Sequence, residues 1–389
     1  MMSGISKLLK LKILPVILLT GIFIFTNNFQ SARAETLRST DRSLTVYALG
    51  KKFEFFYPEI DFCGDGFYLK NAEEIVDGIY YSTLLKPKDA EVIIDGEKEY
   101  PFEFKSEVLG ECIDKEDLLV KIASALKRGK SEVVAKKKVL KPSITAEILK
   151  NSTYRRAFFS TSYQYSTEER KFNIALCAKY MGGVTLFDGE VFSFNQAVGE
   201  RTSERGFKSA KIIENGKFTD GIGGGVCQVS STLYNSALLA GLDVVERHPH
   251  SMLVSYVEPS FDAMVSSDYA DLKIANRTGG FIFIIPRATA DSISVEVFGQ
   301  KTDYSYKRVS TVKEKTEPEE IERIESDEVE AGKEIIAVYP KQGAITEGYL
   351  EVYKSGKLIK TILLSHDKYK PLRGLIKYNG LTKARGSSL

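Results

Sequence analysis

The sequence predicts an α+β, multi-domain chain that is rich in strand. Short apolar runs with β-branched and aromatic residues recur from residue 44 onward, separated by Gly turns. Only a few segments carry helical spacing, and one of them follows a Gly-rich loop that bears a cysteine. The length, 389 residues, corresponds to two or three domains. Hydrophobic residues make up 43% and charged residues 27%, which excludes a mostly disordered, collagen-like or polytopic membrane protein.

The first 34 residues read as an export signal. Lys7, Lys10 and Lys12 precede an apolar run from Ile13 to Phe25, and Ala32-Arg33-Ala34 supplies a small-x-small cleavage site before Glu35. The run falls short of the ~20 residues that span a bilayer, so cleavage is favoured over an uncleaved amino-terminal anchor. Either outcome places the body outside the cytoplasm, secreted or held at the envelope. This leader holds four basic and no acidic residues, so the formal +2 of the whole chain becomes −2 for residues 35–389. That balance argues against a nucleic-acid partner, and a membrane contact is expected only through an uncleaved leader. Four cysteines do not make a disulfide scaffold, and three histidines exclude a His-rich metal cluster. There is no phosphate-binding loop of the Gly-x-x-x-x-Gly-Lys type, and no cofactor is expected.

Residues 40–150 read as an α+β domain. Leu44–Leu49 and Lys52–Phe56 are strand-like around a turn at Gly50. Asp114 opens a helix with acids in its first turn, Leu118, Leu119, Ile122, Ala125 and Leu126 recur at helical spacing, and Gly129 ends it. Lys136-Lys137-Lys138 is a solvated strand edge, with contact to an anionic wall polymer as its functional alternative. Cys63 and Cys112 are small core residues or, after export, a disulfide. A second domain covers 153–309. A helix from about Thr167 to Met181, with Ser166 as candidate cap, stops at Gly182-Gly183. Val184 to Phe194 reads as strand, turn at Asp188-Gly189, strand. Gly280–Ile285 and Ile293–Phe298 are apolar strands. Residues 310–330, rich in Glu, read as an acidic linker or a solvated first strand, and 331–380 as a small all-β module.

Gly221-Ile222-Gly223-Gly224-Gly225-Val226-Cys227 carries the chemistry. The helix after it places Val229, Leu233, Ala237 and Ala240 on one face and ends at Gly241. Cys227 therefore sits at a helix amino-terminus, where free N–H groups and the dipole favour a thiolate. Gly224 and Gly225 let a substrate approach the backbone and offer N–H groups to an oxyanion. A thiolate nucleophile needs an acid–base partner, and His248 and His250 are the nearby candidates, His250 preferred. Asp262 is the first choice to orient the imidazole, then Asp271 and Asp268. Alternatively, Cys227, His248 and His250 form a three-ligand zinc site with an open position. Cys177 is a buried core residue and His366 a solvated turn residue. Arg201 and Arg205 offer planar forks for substrate carboxylates.

Phe192–Gly199, Arg201-Thr202, Gly223–Asn235, Glu246-Arg247 with His250-Ser251, and Asp262-Ala263 together resemble the VanW domain. Two motifs depart from its pattern. Asp188-Gly189-Glu190 stands where Pro-Gly-Glu is frequent, and Ser260–Val265 stands where Gly-x-Asp-Ala-Thr-Val is usual. The 40–150 region resembles the peptidoglycan-binding domain that often precedes VanW domains, and the end resembles a G5-like β module. The resemblance implies an L,D-transpeptidase whose nucleophile is Cys227. Within the shared motifs, Gln228, Ser230, Ser231 and Arg247 are expected, with Gly224 and Gly225, to face the substrate. The expected function is an extracytoplasmic cysteine acyltransferase on peptidoglycan stem peptides that forms 3–3 cross-links. The alternative is a non-catalytic peptidoglycan- or glycopeptide-binding wall protein, of the kind associated with vancomycin resistance.

Overall fold

The computed structural model describes residues 43–56, 59–63, 66–214, 217–267 and 269–380. The expected export signal lies outside the described residues. Among the described residues no helix is long and apolar enough to cross a membrane. The helices are α1 (Ala72–Thr83), α2 (Lys115–Lys127), α3 (Ala146–Lys150), α4 (Glu168–Met181), α5 (Phe194–Val198) and α6 (Val226–Ala240). Strands outnumber them throughout, and the architecture is α+β and multi-domain. The chain forms two compact units, one from residues up to 84 with 112–138, the other from 85–111 with 139 onward.

In the first unit, strand Leu44–Ala48 lies between Lys51–Phe55, antiparallel, and Glu132–Val134, parallel. Leu44 and Val46 are buried with Val76 and Ile79 of α1 and Leu118 and Ile122 of α2. Asp114 caps α2, its carboxylate accepting from the Asp117 amide at 3.2 Å. Lys136, Lys137 and Lys138 are exposed, and Lys137 opens strand Lys137–Leu140. Cys112 is a buried free thiol rather than half of a disulfide.

Residues 85–111 depart from the expected 40–150 domain and belong to the second unit. The reason is aromatic packing. The hairpin Glu91–Ile94/Phe102–Lys105 sets Phe102 at 5.2 Å from Phe283 and 5.0 Å from Phe298, ring centroid to centroid. Phe283 and Ile285 sit in strand Ile282–Ala288, one of four antiparallel strands ordered Tyr154–Ser162, Ser292–Gly299, Ile282–Ala288, Val184–Leu186. Its alternate residues Ile282 and Ile284 join the other core, with Leu233 and Ala237 of α6 and Ile174 and Cys177 of α4. The sheet is thus covered on both faces, which explains an unbroken apolar run in an antiparallel strand.

Thr167, not Ser166, caps α4. Its hydroxyl accepts from the Arg170 amide at 3.4 Å, while Ser166 accepts from the Arg170 guanidinium at 2.9 Å. Val184–Leu186 and Val191–Ser193 do form strands around Asp188-Gly189, but they do not pair with each other. Val191–Ser193 joins a separate sheet with Lys273–Ala275 and Asp243–Glu246.

The acidic segment follows the solvated-strand alternative rather than the linker one. Strand Tyr304–Thr316 runs through its start and pairs with Gly343–Lys354, which pairs in turn with Lys357–Tyr369. Glu322–Glu325 continues into a second small sheet with Leu375–Tyr378 and Glu334–Val338. Charged residues suit these strands because one side faces solvent. Tyr306, Leu350, Ile362 and Leu364 face the other way and pack on the core around α6. Replacing Phe283 by Ala, which empties the junction with Phe102, is expected to destabilise the second unit by about 3–5 kcal/mol in chemical denaturation.

Candidate active site

The Gly-rich loop leaves the hairpin Ser209–Glu214/Lys217–Ile222 and turns directly into α6. Gly225 is the residue before the helix and holds φ at +111°, a region L side chains rarely enter. At Gly224 an added Cβ would lie 2.7 Å from the Lys211 carbonyl oxygen and 2.9 Å from Ala210. The two glycines let the chain fold tightly under the hairpin and aim the first turn of α6 at a cleft.

Cys227 is the second residue of α6, half-buried, with Sγ 3.5 Å from the Val265 carbonyl oxygen. The Val226 amide bonds Gly223 O at 3.2 Å and the Gln228 amide bonds Gly225 O at 3.0 Å. The Cys227 amide has no acceptor among the described residues and is left for a ligand.

His250 is buried beside this sulfur. Its Nδ1 lies 2.6 Å from Asp262 Oδ2, so Nε2 is the nitrogen left to face the thiol. Burial alone raises the Cys227 pKa, but the hydrogen bond and charge of His250 outweigh it and hold the thiol below its ordinary value. A backbone hydrogen bond at Val265 and the charge of Arg201 add to the effect. Burial pulls the other way on His250, yet Asp262 and then Cys227 raise it to about 9. The lowered thiol and the raised imidazole both shift the shared proton from the sulfur toward the histidine.

Asp262 is 1% exposed and saturated with donors. Oδ2 accepts from the His250 amide and ring, each at 2.6 Å, and Oδ1 accepts from Tyr369 Oη at 2.6 Å and Arg247 Nη2 at 2.9 Å. Burial alone would raise its pKa, and these partners, His250 first, hold it near 2. Arg247 reaches on through Nη1 to Asp367 at 2.7 Å, and Asp367 accepts from Ser365 Oγ at 2.8 Å. Two cations thus face two anions in one dry cluster.

The other sequence candidates divide sharply. His248 turns away, Nε2 lying 3.1 Å from Glu246, so Cys227, His248 and His250 are not gathered as zinc ligands. Among the described residues no group of three His, Cys, Asp or Glu is placed to hold a metal. Asp271 anchors the start of α5, accepting from Ser193 Oγ at 2.5 Å and the Asn195 amide at 2.9 Å, and Asp268 lies outside the described residues. Arg201 lines the cleft and donates to Asn195 Oδ1 at 2.5 Å. Arg205 does not. It donates to the carbonyls of Val198 and Glu200 and stacks 4.2 Å from the Tyr180 ring. Arg247 is also not a substrate ligand, because both its faces are spent on Asp262 and Asp367. Ser230 and Ser231 are fully buried, bonding the Cys227 and Ala263 carbonyls. They tie a helix with polar residues on several buried faces to its surroundings. Gln228 reaches the cleft but serves Arg170, whose Nη2 donates to Oε1 at 2.8 Å.

Sequence reasoning missed Arg170, Tyr256, Asp367 and Tyr369. Tyr256 lines the cleft beside the sulfur. Its pKa is raised first by burial and then by the Cys227 charge, so it stays a neutral donor. No motif marks it, and Asp367 and Tyr369 lie over a hundred positions from Asp262. The cleft holds about 1470 Å³, above the 300–1,000 Å³ of ordinary small-molecule pockets and roomy enough for an extended peptide.

Residues 169–298 match the family described as "VanW like protein". This chain contains a VanW-like domain. The match holds Cys227, His250 and Asp262, and residues 67–135 match a second family, "Putative peptidoglycan binding domain". The uncharacterized protein YoaR of Bacillus subtilis (strain 168) is 37% identical over 172 residues, covering 44% of this chain and 57% of that protein. The vancomycin B-type resistance protein VanW of Enterococcus faecalis (strain ATCC 700802 / V583) is 32% identical over 149 residues, covering 37% of this chain and 53% of its own. The chain thus spans little more than half the length of these curated relatives. A G5 domain of IgA1 protease aligns with 21% of this chain and 96% of its own at 13% identity and a TM-score of 0.15. The HP0197 G5 structure aligns with 20% and 100% at 20% identity and a TM-score of 0.12.

Two outcomes follow for the VanW-like domain. Arg247→Ala leaves Asp367 as a buried charge without its cation and strips one donor from Asp262, and is expected to cost about 3–5 kcal/mol of unfolding free energy. Alkylation of Cys227 by iodoacetamide is expected to set in below the pH of an ordinary thiol. His250→Ala moves that onset up toward the usual range of about 8.5. The same onset in both proteins would exclude the ion pair.

Proposed function

We propose that the protein is an extracytoplasmic cysteine acyltransferase acting on peptidoglycan stem peptides, an L,D-transpeptidase that forms 3–3 cross-links. The observation that carries the reading is the Cys227–His250–Asp262 line at the floor of a peptide-sized cleft. The VanW-like and peptidoglycan-binding matches support a cell-wall setting.

The proposed chemistry starts from a Cys227 thiolate and a His250 imidazolium. Cys227 thiolate attacks the carbonyl carbon of the third residue of a tetrapeptide stem, and a C–S bond forms. The carbonyl electron pair moves to oxygen, where the Cys227 amide and the Gly224-Gly225 backbone offer donors. Collapse breaks the C–N bond, and the Nε2 proton of His250 goes to the leaving amine, releasing D-alanine. A side-chain amine of a second stem then attacks the thioester. Neutral His250 takes the amine proton, and the C–S bond breaks to return the thiolate. The thioester conserves the energy of the peptide bond, so no nucleotide is consumed. Arg201 lines the cleft and its charge reaches the Cys227 sulfur, so it is suited to draw a substrate carboxylate toward it.

Cys227→Ala is expected to abolish 3–3 cross-links in wall muropeptides and turnover of purified tetrapeptide. Unchanged cross-linking in that variant sinks the proposal, and release of D-alanine without transfer makes the protein a hydrolase instead. Wild-type peptidoglycan binding with no turnover leaves the wall-binding alternative. For kcat/KM the acid limb follows deprotonation of Cys227, below the ordinary thiol range. His250, raised to about 9, keeps its proton below that pH and loses it above, so activity falls as pH rises through about 9.

A further inference from the structure

The strand Lys357–Tyr369 belongs to the C-terminal β region, yet its end reaches the active site. Along Asp367-Lys368-Tyr369-Lys370 the side chains alternate, as extended backbone requires. Asp367 and Tyr369 are 4% and 1% exposed and bond Arg247 and Asp262. Lys368 and Lys370 are exposed on the opposite side and line the cleft that holds Cys227. The Lys370 amide donates to Ser251 O at 2.7 Å, which pins this wall to the loop just after His250.

Apart from Cys227 itself, the charged side chains described along the cleft are of one sign. Among the described lining residues, Arg170, Arg201, Lys211, Lys341, Lys368 and Lys370 are cationic and none is acidic. Lys211 is paired with Asp220 at 2.9 Å and Arg170 is bonded to Gln228. Lys368 and Lys370 make no ion pair among the described residues. A concave wall of one sign draws and holds the opposite charge.

We infer that Lys368 and Lys370 form a subsite for a carboxylate of the substrate peptide. The C-terminal β region then supplies both the rear support of the catalytic carboxylate and the substrate-facing cations. This deepens the acyltransfer reading and rests on it, because the ligand is the peptide presented to Cys227. A peptide carboxylate, rather than a polymer phosphate, is assigned because these lysines share the cleft with the reacting sulfur. Lysine ammonium groups suit such a ligand as point charges without fixed fork geometry.

Two alkylating reagents test the subsite on the full chain. Iodoacetamide is neutral and iodoacetate carries a carboxylate. Both form an S–C bond at Cys227 and release iodide. The neutral reagent sets the reference rate within each protein, so the readout is the iodoacetate-to-iodoacetamide ratio. Lys368→Gln with Lys370→Gln is expected to lower that ratio several-fold, and Lys368→Glu with Lys370→Glu by about tenfold or more. The differences should shrink in about 1 M salt, where the screening length is roughly 3 Å. In parallel, KM for purified tetrapeptide should rise in both double variants. Ratios equal in wild type and both variants overturn the subsite alone, as does an unchanged KM. Failure of both reagents to label wild-type Cys227 near neutral pH sinks the thiolate reading itself, and the subsite with it.

Discussion

The Asp262 carboxylate, out of water and bonded by four donors, is what the rest of the site depends on. Left bare, such a group would take up a proton, and its hold on His250 would be lost. Arg247 and Tyr369 on one oxygen and two nitrogens of His250 on the other keep it ionised. An ionised Asp262 raises the imidazole pKa and fixes its ring, and the imidazole in turn lowers the pKa of the Cys227 thiol. The order of dependence runs from a buried salt-bridge cluster outward to the Cys227 sulfur in the cleft. Burial of these charges is tolerable because Asp367 balances the second cation.

The scaffold serves this placement. The sheet carrying Ile282–Ala288 is packed on both faces, which gives α6 a rigid floor. Polar residues of α6 are spent on that floor, with Ser236 donating to Val295 O and Asn235 to Phe261 O. The latter bond links the helix to the segment that presents Asp262. Cys227 and Asp262 are thereby held by one network.

Much of this was legible from sequence where local chemistry is strong. Four glycines ahead of a cysteine, then apolar spacing and Gly241, mark α6 because each feature acts over a few residues. Asp114 and Gly129 bound α2 for the same reason. What failed were inferences about which way a polar side chain faces. Arg205 and Arg247 look like substrate forks in one dimension, yet carbonyls and carboxylates brought near by folding claim them. Ser230 and Ser231 sit in a shared motif but are turned into the protein. The acidic stretch near 310–330 left linker and solvated strand both open, because a half-solvated strand and a solvated loop share a composition. Tyr369 was beyond reach, since nothing local ties residue 369 to residue 262.

The two-residue alternation at 367–370 has a consequence for the evolution and engineering of this chain. An insertion or deletion of one residue in that strand would swap its inner and outer sets. Two ammonium groups would then be driven against Arg247 and His250, while a phenol and a carboxylate turned toward the cleft. Parity along that strand is therefore under constraint, and the terminal segment cannot be exchanged between homologues as a passive cassette unless its phase is preserved.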